Sequence, residues 1–334
     1  FYIFVSVNLY ENFMSKAKIV FIINPKSGTS DKKELPGLID SVIDKEKFDV
    51  TVVYTEYAGH GRELARRFAE EQYDYVIACG GDGTMNEVAS ELVHTNSCFG
   101  IVPYGSGNGL ARHLGISMIP LKALRQINKH LVRNIDYGLA DDTKFFCTCG
   151  TGFDAHVSHK FAVQGKRGFF TYFKTICREY VKYKPYMYTL KSDSFEIKQR
   201  AFLVTFANAS QYGNNAFIAP QASTSDGKLD VCILKPFPFF AIPWLAFLLF
   251  QKEIDKSKHI SILQARDITL IRRKEGEFHI DGDPVMKGKE IHVKVVPAGL
   301  KVIVGRTLTL DVILRSRLIF ARRRIRNQAK RLME

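Results

Sequence analysis

Asp82 stands among glycines in Gly80-Gly81-Asp82-Gly83-Thr84, a setting that gives a carboxylate phosphate chemistry to do. Three glycines let the backbone turn sharply and aim its N–H groups at a ligand. A helix starting at Thr84 adds partial positive charge at the same point. A polyphosphate suits such a loop, and Asp82 could hold Mg2+ through water or take a proton from an attacking hydroxyl. The chemically silent alternative is a tight strand-to-helix turn in which Asp82 only caps the helix. Two further carboxylates sit in tight turns. Asp283 lies in Asp281-Gly282-Asp283-Pro284, and Asp226 in Ser223-Thr224-Ser225-Asp226-Gly227-Lys228. For Asp226 the plain alternative is an Asp-Gly hairpin turn without a metal.

The elements that must position these groups read as a βα series. Asp74 to Cys79 is a short buried strand leading into the glycine loop, and Thr84 with Glu87 has the form of a capping box. Lys18 to Ile23 is an apolar strand followed by Asn24-Pro25-Lys26-Ser27-Gly28. Proline and glycine force a loop there, and Asn24, Lys26 and Ser27 bring polar groups to the strand's C-terminal end, where open parallel sheets bind ligands. Lys33 to Asp44 predicts a helix, Phe48 to Thr55 a strand, and Gly61 to Gln72 a helix with Leu64, Ala65, Phe68 and Ala69 on its apolar face. Ser97 to Val102 is a fourth strand, and Pro103-Tyr104-Gly105-Ser106-Gly107-Asn108-Gly109 follows, with a helix from about Leu110. Three glycine-bearing loops therefore end three strands and should converge on one crevice. No GxxxxGK[ST] loop is present, nor a GxGxxG dinucleotide fingerprint, nor the HRD and DFG signatures of protein kinases.

The chain has 334 residues, enough for two domains with buried cores, and its 46% apolar and 25% charged content is that of a globular protein. Its net charge of +14 points to an acidic partner: nucleotide phosphate, an anionic membrane face or nucleic acid. Six cysteines without a CxxC pair favour reduced thiols in a cytoplasmic protein. Residues 1–13 lack the basic start of a signal peptide, and Met14 is the expected native start. No apolar run reaches the ~18 residues that span a bilayer.

From about Arg133 the alternation gives way to short β-like runs: Phe145–Cys149, Met187–Lys191, Ala201–Phe206, Leu229–Leu234, Asp267–Ile271 and Glu290–Val295. Such a series predicts a sandwich. Asp154 to Arg178 mixes Lys160, Lys166, Arg167, Lys174 and Arg178 with five aromatics, as either a lid over phosphate and acyl chain or a solvated amphipathic helix pair. His156 and His159 share a helix face and read as surface or packing residues. Pro236 to Phe250 is apolar on nearly every face and holds the single tryptophan, Trp244; it reads as a core helix or a wall near lipid. Arg315 to Arg331 is a basic amphipathic helix, suited to an anionic leaflet at ~1 kcal/mol per well-placed cation, or to packing back on the first domain.

Taken in order, Asn24-Pro25-Lys26-Ser27-Gly28, Gly80 to Thr84 with Asn86-Glu87, and Pro103 to Asn108 resemble the diacylglycerol and sphingosine kinase catalytic superfamily, most of all its bacterial soluble lipid kinases. Gly152-Phe153-Asp154-Ala155, Pro220 to Asp230, and Asp281 to Pro284 extend the resemblance over most of the chain. It implies an α/β nucleotide-binding domain of NAD-kinase type over residues 15–133, joined by a C-terminal helix at 306–334, and a β-sandwich-like lipid-substrate domain over 134–305. It implies ATP and Mg2+ as cofactors. Nucleotide contacts would come from Asn24, Lys26, Ser27, Thr55, Gly80, Gly81, Gly83, Thr84, Glu87, Gly105, Ser106 and Asn108. Asp82 would position Mg2+ or act as general base, and Asp283, where the family usually has glutamate, is the second candidate for either role. A structural Mg2+ would bind Asp226 with the carbonyls of Ser223 and Lys228.

The expected activity is ATP-dependent phosphorylation of a membrane-lipid hydroxyl at the inner face of the membrane, with a homodimer left open. Diacylglycerol is the first choice. A ceramide or sphingoid lipid is second, because Gly105-Ser106-Gly107-Asn108 looks like that branch. A NAD kinase is the rival enzyme, disfavoured by the Asn-Pro-Lys-Ser-Gly loop and the aromatic second half. A basic lipid- or nucleic-acid-binding protein is the rival of another class, and no nucleic-acid-binding module accompanies the charge.

Overall fold

A computed structural model of the chain describes residues 16–28, 32–164, 176 and 178–305. The leader before Met14, the expected helix at 306–334 with its arginines, and Lys166, Arg167 and Lys174 of the basic stretch lie outside the described residues.

Four strands come first: β1 (Ala17–Ile23), β2 (Phe48–Tyr54), β3 (Tyr75–Gly80) and β4 (Cys98–Pro103). Between and after them run α1 (Leu35–Val42), α2 (His60–Glu70), α3 (Asp82–Leu92), α4 (Gly109–His113) and α5 (Pro120–Ile127). The strands pair in parallel in the order β2-β1-β3-β4. Helices cover this sheet, so β1, β3 and β4 are buried over most of their length and read as unbroken apolar runs. α2 shows the complementary pattern: Leu64, Ala65 and Phe68 are buried, while Arg62, Arg66 and Arg67 face solvent. The winding reverses between β1 and β3. A crevice opens outside the C-terminal ends of strands at such a point.

The second half is built from β5 (Val132–Ala140), β6 (Thr143–Phe145), β7 (Thr148–Gly152), β8 (Tyr186–Ser192), β9 (Phe195–Ala201), β10 (Leu203–Ala207), β11 (Leu229–Leu234), β12 (Ile260–Ala265), β13 (Asp267–Arg272), β14 (Gly276–Ile280), β15 (Asp283–Lys287) and β16 (Glu290–Ile303), with α6 (Phe153–Gln164) after β7. One antiparallel sheet runs β12-β11-β10-β7-β14-β15. It packs Phe206, Val231, Ile233 and Phe278 against Leu190, Leu270, Ile291 and Val293 of the facing layer, which is the expected sandwich.

That facing layer is continuous with the parallel sheet. β16 pairs with β13 near its start, and at its end Val302 lies parallel beside Phe99 of β4. A bulge between Val296 and Leu300, with Ala298 at φ 51°, allows one strand to serve both halves. Position 133 falls inside β5, so the architecture changes along a strand rather than in a linker.

Several expected elements differ in detail. Phe145–Cys149 is two strands, because the N–H groups of Phe146 and Cys147 leave the ladder for the Asp281 carboxylate. Ala201–Phe206 breaks at Phe202, whose N–H bonds to Leu234 O and whose carbonyl accepts from Phe153 N. The capping box at Thr84 does not form. α3 starts two residues earlier, with Gly81 as N-cap and no side-chain cap. Thr84 and Glu87 are engaged elsewhere.

Candidate active site

The three strand-end loops touch backbone to backbone. Gly28 has φ +69°, and a Cβ there would lie 1.8 Å from the carbonyl oxygen of Tyr104. A Cβ on Gly105 would lie 2.7 Å from the Cα of Gly81. Only glycine permits such approaches. Main-chain bonds fix the register: Asn24 N donates to Cys79 O at 3.0 Å, and Tyr104 N to Gly80 O at 2.7 Å.

Side chains complete the cradle. Asn24 Nδ2 donates to Thr84 Oγ1 at 3.0 Å, while its Oδ1 accepts from Lys26 N at 3.0 Å. Ser27 Oγ donates to Asn24 O at 3.0 Å. Lys32 is buried beneath this loop, donating to Ser27 O and lying 5.1 Å from the centre of the Tyr104 ring. Asn108, at φ 52°, closes its own loop by accepting from Gly105 N at 3.1 Å and donating to Gly105 O at 2.6 Å. Ser106, Gly83 and Lys26 are exposed at the rim. Thr55 is buried at the end of β2, its N–H on Ile23 O at 2.9 Å. Glu87 points to the start of α2, accepting from Gly59 N at 3.0 Å and Gly61 N at 3.2 Å. It holds α2 against α3 rather than capping the glycine loop.

The aspartates divide sharply. Asp82 Oδ2 accepts from Asn108 N at 2.8 Å, and Oδ1 from Gly109 N at 2.9 Å. Burial raises its pKa and those two N–H groups oppose the rise. Asp281 is more heavily engaged still. It accepts from Cys147 N and Thr148 N through Oδ1, and from Phe146 N and Asn86 Nδ2 through Oδ2, at 2.8 to 3.0 Å. Burial pushes its pKa up as well, against the same four donors. The carboxylate of Asp283, two residues on, has no hydrogen bond or ion pair to a described residue, and the residue is exposed. Its carboxylate reaches the start of α3, 3.9 Å from where a Cβ on Gly83 would be. Partial desolvation, then the charges of Asp281 and Glu87, push its pKa upward.

Asp281, Asn86, Lys32 and Arg112 were not singled out from the sequence for these roles. Arg112 Nε donates to Gly107 O at 2.9 Å and braces the third loop. Asp281 did carry a signal, an Asp-Gly-Asp turn in which one carboxylate can anchor the turn that presents the other.

At the other turn, Asp226 Oδ1 accepts from Lys228 N at 3.1 Å. Burial raises its pKa, and the neighbouring Asp136 charge adds to that. Asp136 accepts from Gly227 N at 2.7 Å and Ala298 N at 2.8 Å. The Asp136 charge beside Asp226 is one that a divalent cation would offset, and Asp226 with the Ser223 and Lys228 carbonyls would hold it. Among the described residues no group of three His, Cys, Asp or Glu side chains could hold a metal by itself.

Residues 18–140 match the diacylglycerol kinase catalytic domain, and residues 147–304 match the YegS C-terminal NAD kinase β-sandwich-like domain. A Chromohalobacter salexigens protein named "Probable lipid kinase YegS-like" is 31% identical over 224 residues, 65% of this chain and 70% of its own. The chain belongs to this family of lipid kinases. A diacylglycerol kinase of Bacillus subtilis is 26% identical over 277 residues, covering 81% of this lipid kinase and 90% of the relative. In fold it is similar to the crystal structure of a diacylglycerol kinase from Bacillus anthracis, with TM-score 0.68, 20% identity, and coverage of 87% of this chain and 97% of that one. ATP use comes with the family. No helix among the described residues is long and apolar enough to cross a membrane.

Proposed function

We propose that this lipid kinase transfers the terminal phosphoryl group of ATP to the hydroxyl of diacylglycerol, or secondly of a ceramide-like lipid, at the cytoplasmic face of the membrane. The observation that carries this reading is the unpartnered Asp283 carboxylate at the start of α3, 3.9 Å from where a Cβ on Gly83 would be. The Gly80 to Thr84 backbone and the rim of Asn24, Lys26, Ser27 and Ser106 cradle the phosphates, with buried Lys32 adding positive charge below. Mg2+ bound with the nucleotide would neutralise charge on the transferred group. Asp283 takes the proton from the lipid hydroxyl. Its raised pKa brings it nearer the working pH than an ordinary carboxylate, which favours a general base. Asp82 acts as a positioning residue, clamping the Asn108–Gly109 backbone so that the third loop meets the second. Phosphoryl transfer demands mainly positioning and charge neutralisation, which these groups supply. The net charge of +14 supports attraction to an anionic surface.

The test is a panel of lipids (diacylglycerol, ceramide, sphingosine, monoacylglycerol) and NAD, each incubated with ATP and Mg2+ and read by mass. Diacylglycerol should gain a phosphate fastest. Phosphorylation of NAD with every lipid untouched would refute the assignment.

A further inference from the structure

The most apolar exposed surface among the described residues lies on a 3-10 turn (Phe239–Ala241) and the helix Ile242–Phe250. The sequence Ile-Pro-Trp-Leu-Ala-Phe-Leu-Leu-Phe contains no charged residue. Leu245 and Leu248 are buried and anchor the helix to the β-rich half. The opposite face is aromatic and open: Phe240 is 82% exposed, Phe239 62%, Trp244 59% and Phe247 51%. Trp244 and Phe247 stack on one another at 5.5 Å, so the face is a preformed ridge. A surface helix on a globular protein normally turns polar residues outward; this one does not, and large exposed apolar patches mark contact surfaces.

Charge identifies the partner. Exposed Lys235 precedes the ridge, and exposed Lys252, Lys256 and Lys258 follow it. Lys256 pairs with Glu253, whereas Lys235 and Lys258 have no acidic partner among the described residues. Aromatic residues flanked by lysines are the composition of an interfacial element, rings at headgroup depth and ammonium groups on lipid phosphates. The ridge is also wired to the active site. Leu249 O accepts from Phe217 N at 3.0 Å, and in the same loop Asn214 N donates to Gly107 O at 3.2 Å. Arg112 bridges the two, with Nη1 on Asn215 Oδ1 at 3.4 Å and Nε on Gly107 O at 2.9 Å.

We infer that the aromatic face of Phe239–Phe250, flanked by its lysines, is the surface by which this enzyme seats itself in the interface of an anionic bilayer. The inference rests on the lipid-kinase reading for its purpose and deepens it: the loop Gln211–Phe217 joins the docked helix to the Gly105–Gly109 loop of the crevice. The helix lies in the interface and does not cross the bilayer.

Trp244 is the protein's only tryptophan, which makes its fluorescence a reporter of this one surface. The full chain is titrated with vesicles of phosphatidylcholine and phosphatidylglycerol (3:1), with pure phosphatidylcholine in parallel. Trp244 emission should start at the wavelength of a solvated indole, move to shorter wavelength with the anionic vesicles, and become quenched by lipids brominated in the acyl chain. Phe239→Ser with Phe240→Ser should weaken partitioning by about tenfold or more, as expected for removing two buried rings. The same variant should keep wild-type turnover on short-chain diacylglycerol dispersed below its micelle concentration. Vesicle binding without a change in Trp244 emission would overturn the inference, since another surface would then be the one that docks. So would emission already blue-shifted in the free protein, which means the ridge is covered by other parts of the chain or by a second copy. Absence of turnover on dispersed lipid would count against the kinase reading while leaving the fluorescence result to judge the docking surface.

Discussion

Two aspartates in the crevice have different hydrogen bonds and should fail differently when changed. Asp283 is unpartnered, so Asp283→Asn removes a proton acceptor and little else. Its kcat should fall by about 10²-fold or more, with the ATP KM and the melting temperature close to wild type. The pH profile gives a second check. The acid form of a base is inactive, and the Asp283 pKa is raised, so the wild-type rate should fall as pH drops through a value above the usual carboxylate range. That acidic limb should vanish from the Asp283→Asn profile. Asp82 is the opposite case, since its two oxygens accept from Asn108 N and Gly109 N. Asp82→Asn sets an NH2 group against one of those N–H donors and leaves it unsatisfied. Urea unfolding should show a loss of about 1–3 kcal/mol, and the ATP KM should rise as the third loop shifts. A large fall in kcat at unchanged stability and KM would place Asp82 at the chemistry and strip Asp283 of sole responsibility.

The elements carry the site through close approaches that few residues allow. At Gly105 a Cβ would stand 2.7 Å from Gly81 Cα and 2.6 Å from Asn108 Oδ1. Gly105→Ala must therefore part the second and third loops, and calorimetric titration with a non-hydrolysable ATP analogue should show affinity reduced by about tenfold (roughly 1.4 kcal/mol). Gly37, in α1, is the control. Nothing lies within 4 Å of a Cβ there, so Gly37→Ala should leave ATP binding alone and stabilise by about 0.5–1 kcal/mol through helix propensity. Much of this level was legible in the sequence, because buried parallel strands ending at glycines announce themselves: β1 and β3 were expected within a residue or two, and Leu229–Leu234 is β11 itself. The start of α3 was misplaced because Thr84 has the chemistry of a cap, and nothing local shows that Asn24, sixty residues earlier, takes its hydroxyl. β9 and β15 are not legible in the sequence, because an outer strand with one wet face, as in Phe-Glu-Ile-Lys-Gln-Arg-Ala, shows too little apolar sequence.

At the scale of the molecule, the crevice sits where α3 of the parallel layer meets the Asp281–Asp283 turn of the sandwich, so its geometry depends on how the halves are joined. The continuity of β16 from β13 to β4 could not be read from sequence, since its far end pairs Val302 with Phe99, about two hundred positions earlier. The seam beside it is polar: Asp136, on β5, takes Gly227 N from the Asp226 turn and Ala298 N from the β16 bulge. With Asp226 close enough to feel the Asp136 charge, the seam carries a repulsion that a divalent cation would relieve. A cation bound only in the folded state stabilises by mass action, about 2.7 kcal/mol at a hundred times its Kd. Mg2+ should therefore raise the melting temperature in the absence of nucleotide, and a chelator should reverse the gain. Asp226→Ala should abolish the Mg2+ dependence while leaving the metal-free melting temperature near wild type, since the variant removes one of the two repelling charges. Asp136→Asn should lower the melting temperature with or without Mg2+, because its NH2 group would face one of the two backbone N–H groups that the carboxylate now holds and leave it unsatisfied. A Mg2+ response that survives Asp226→Ala would move the cation away from this turn. The seam would then be held by hydrogen bonds alone.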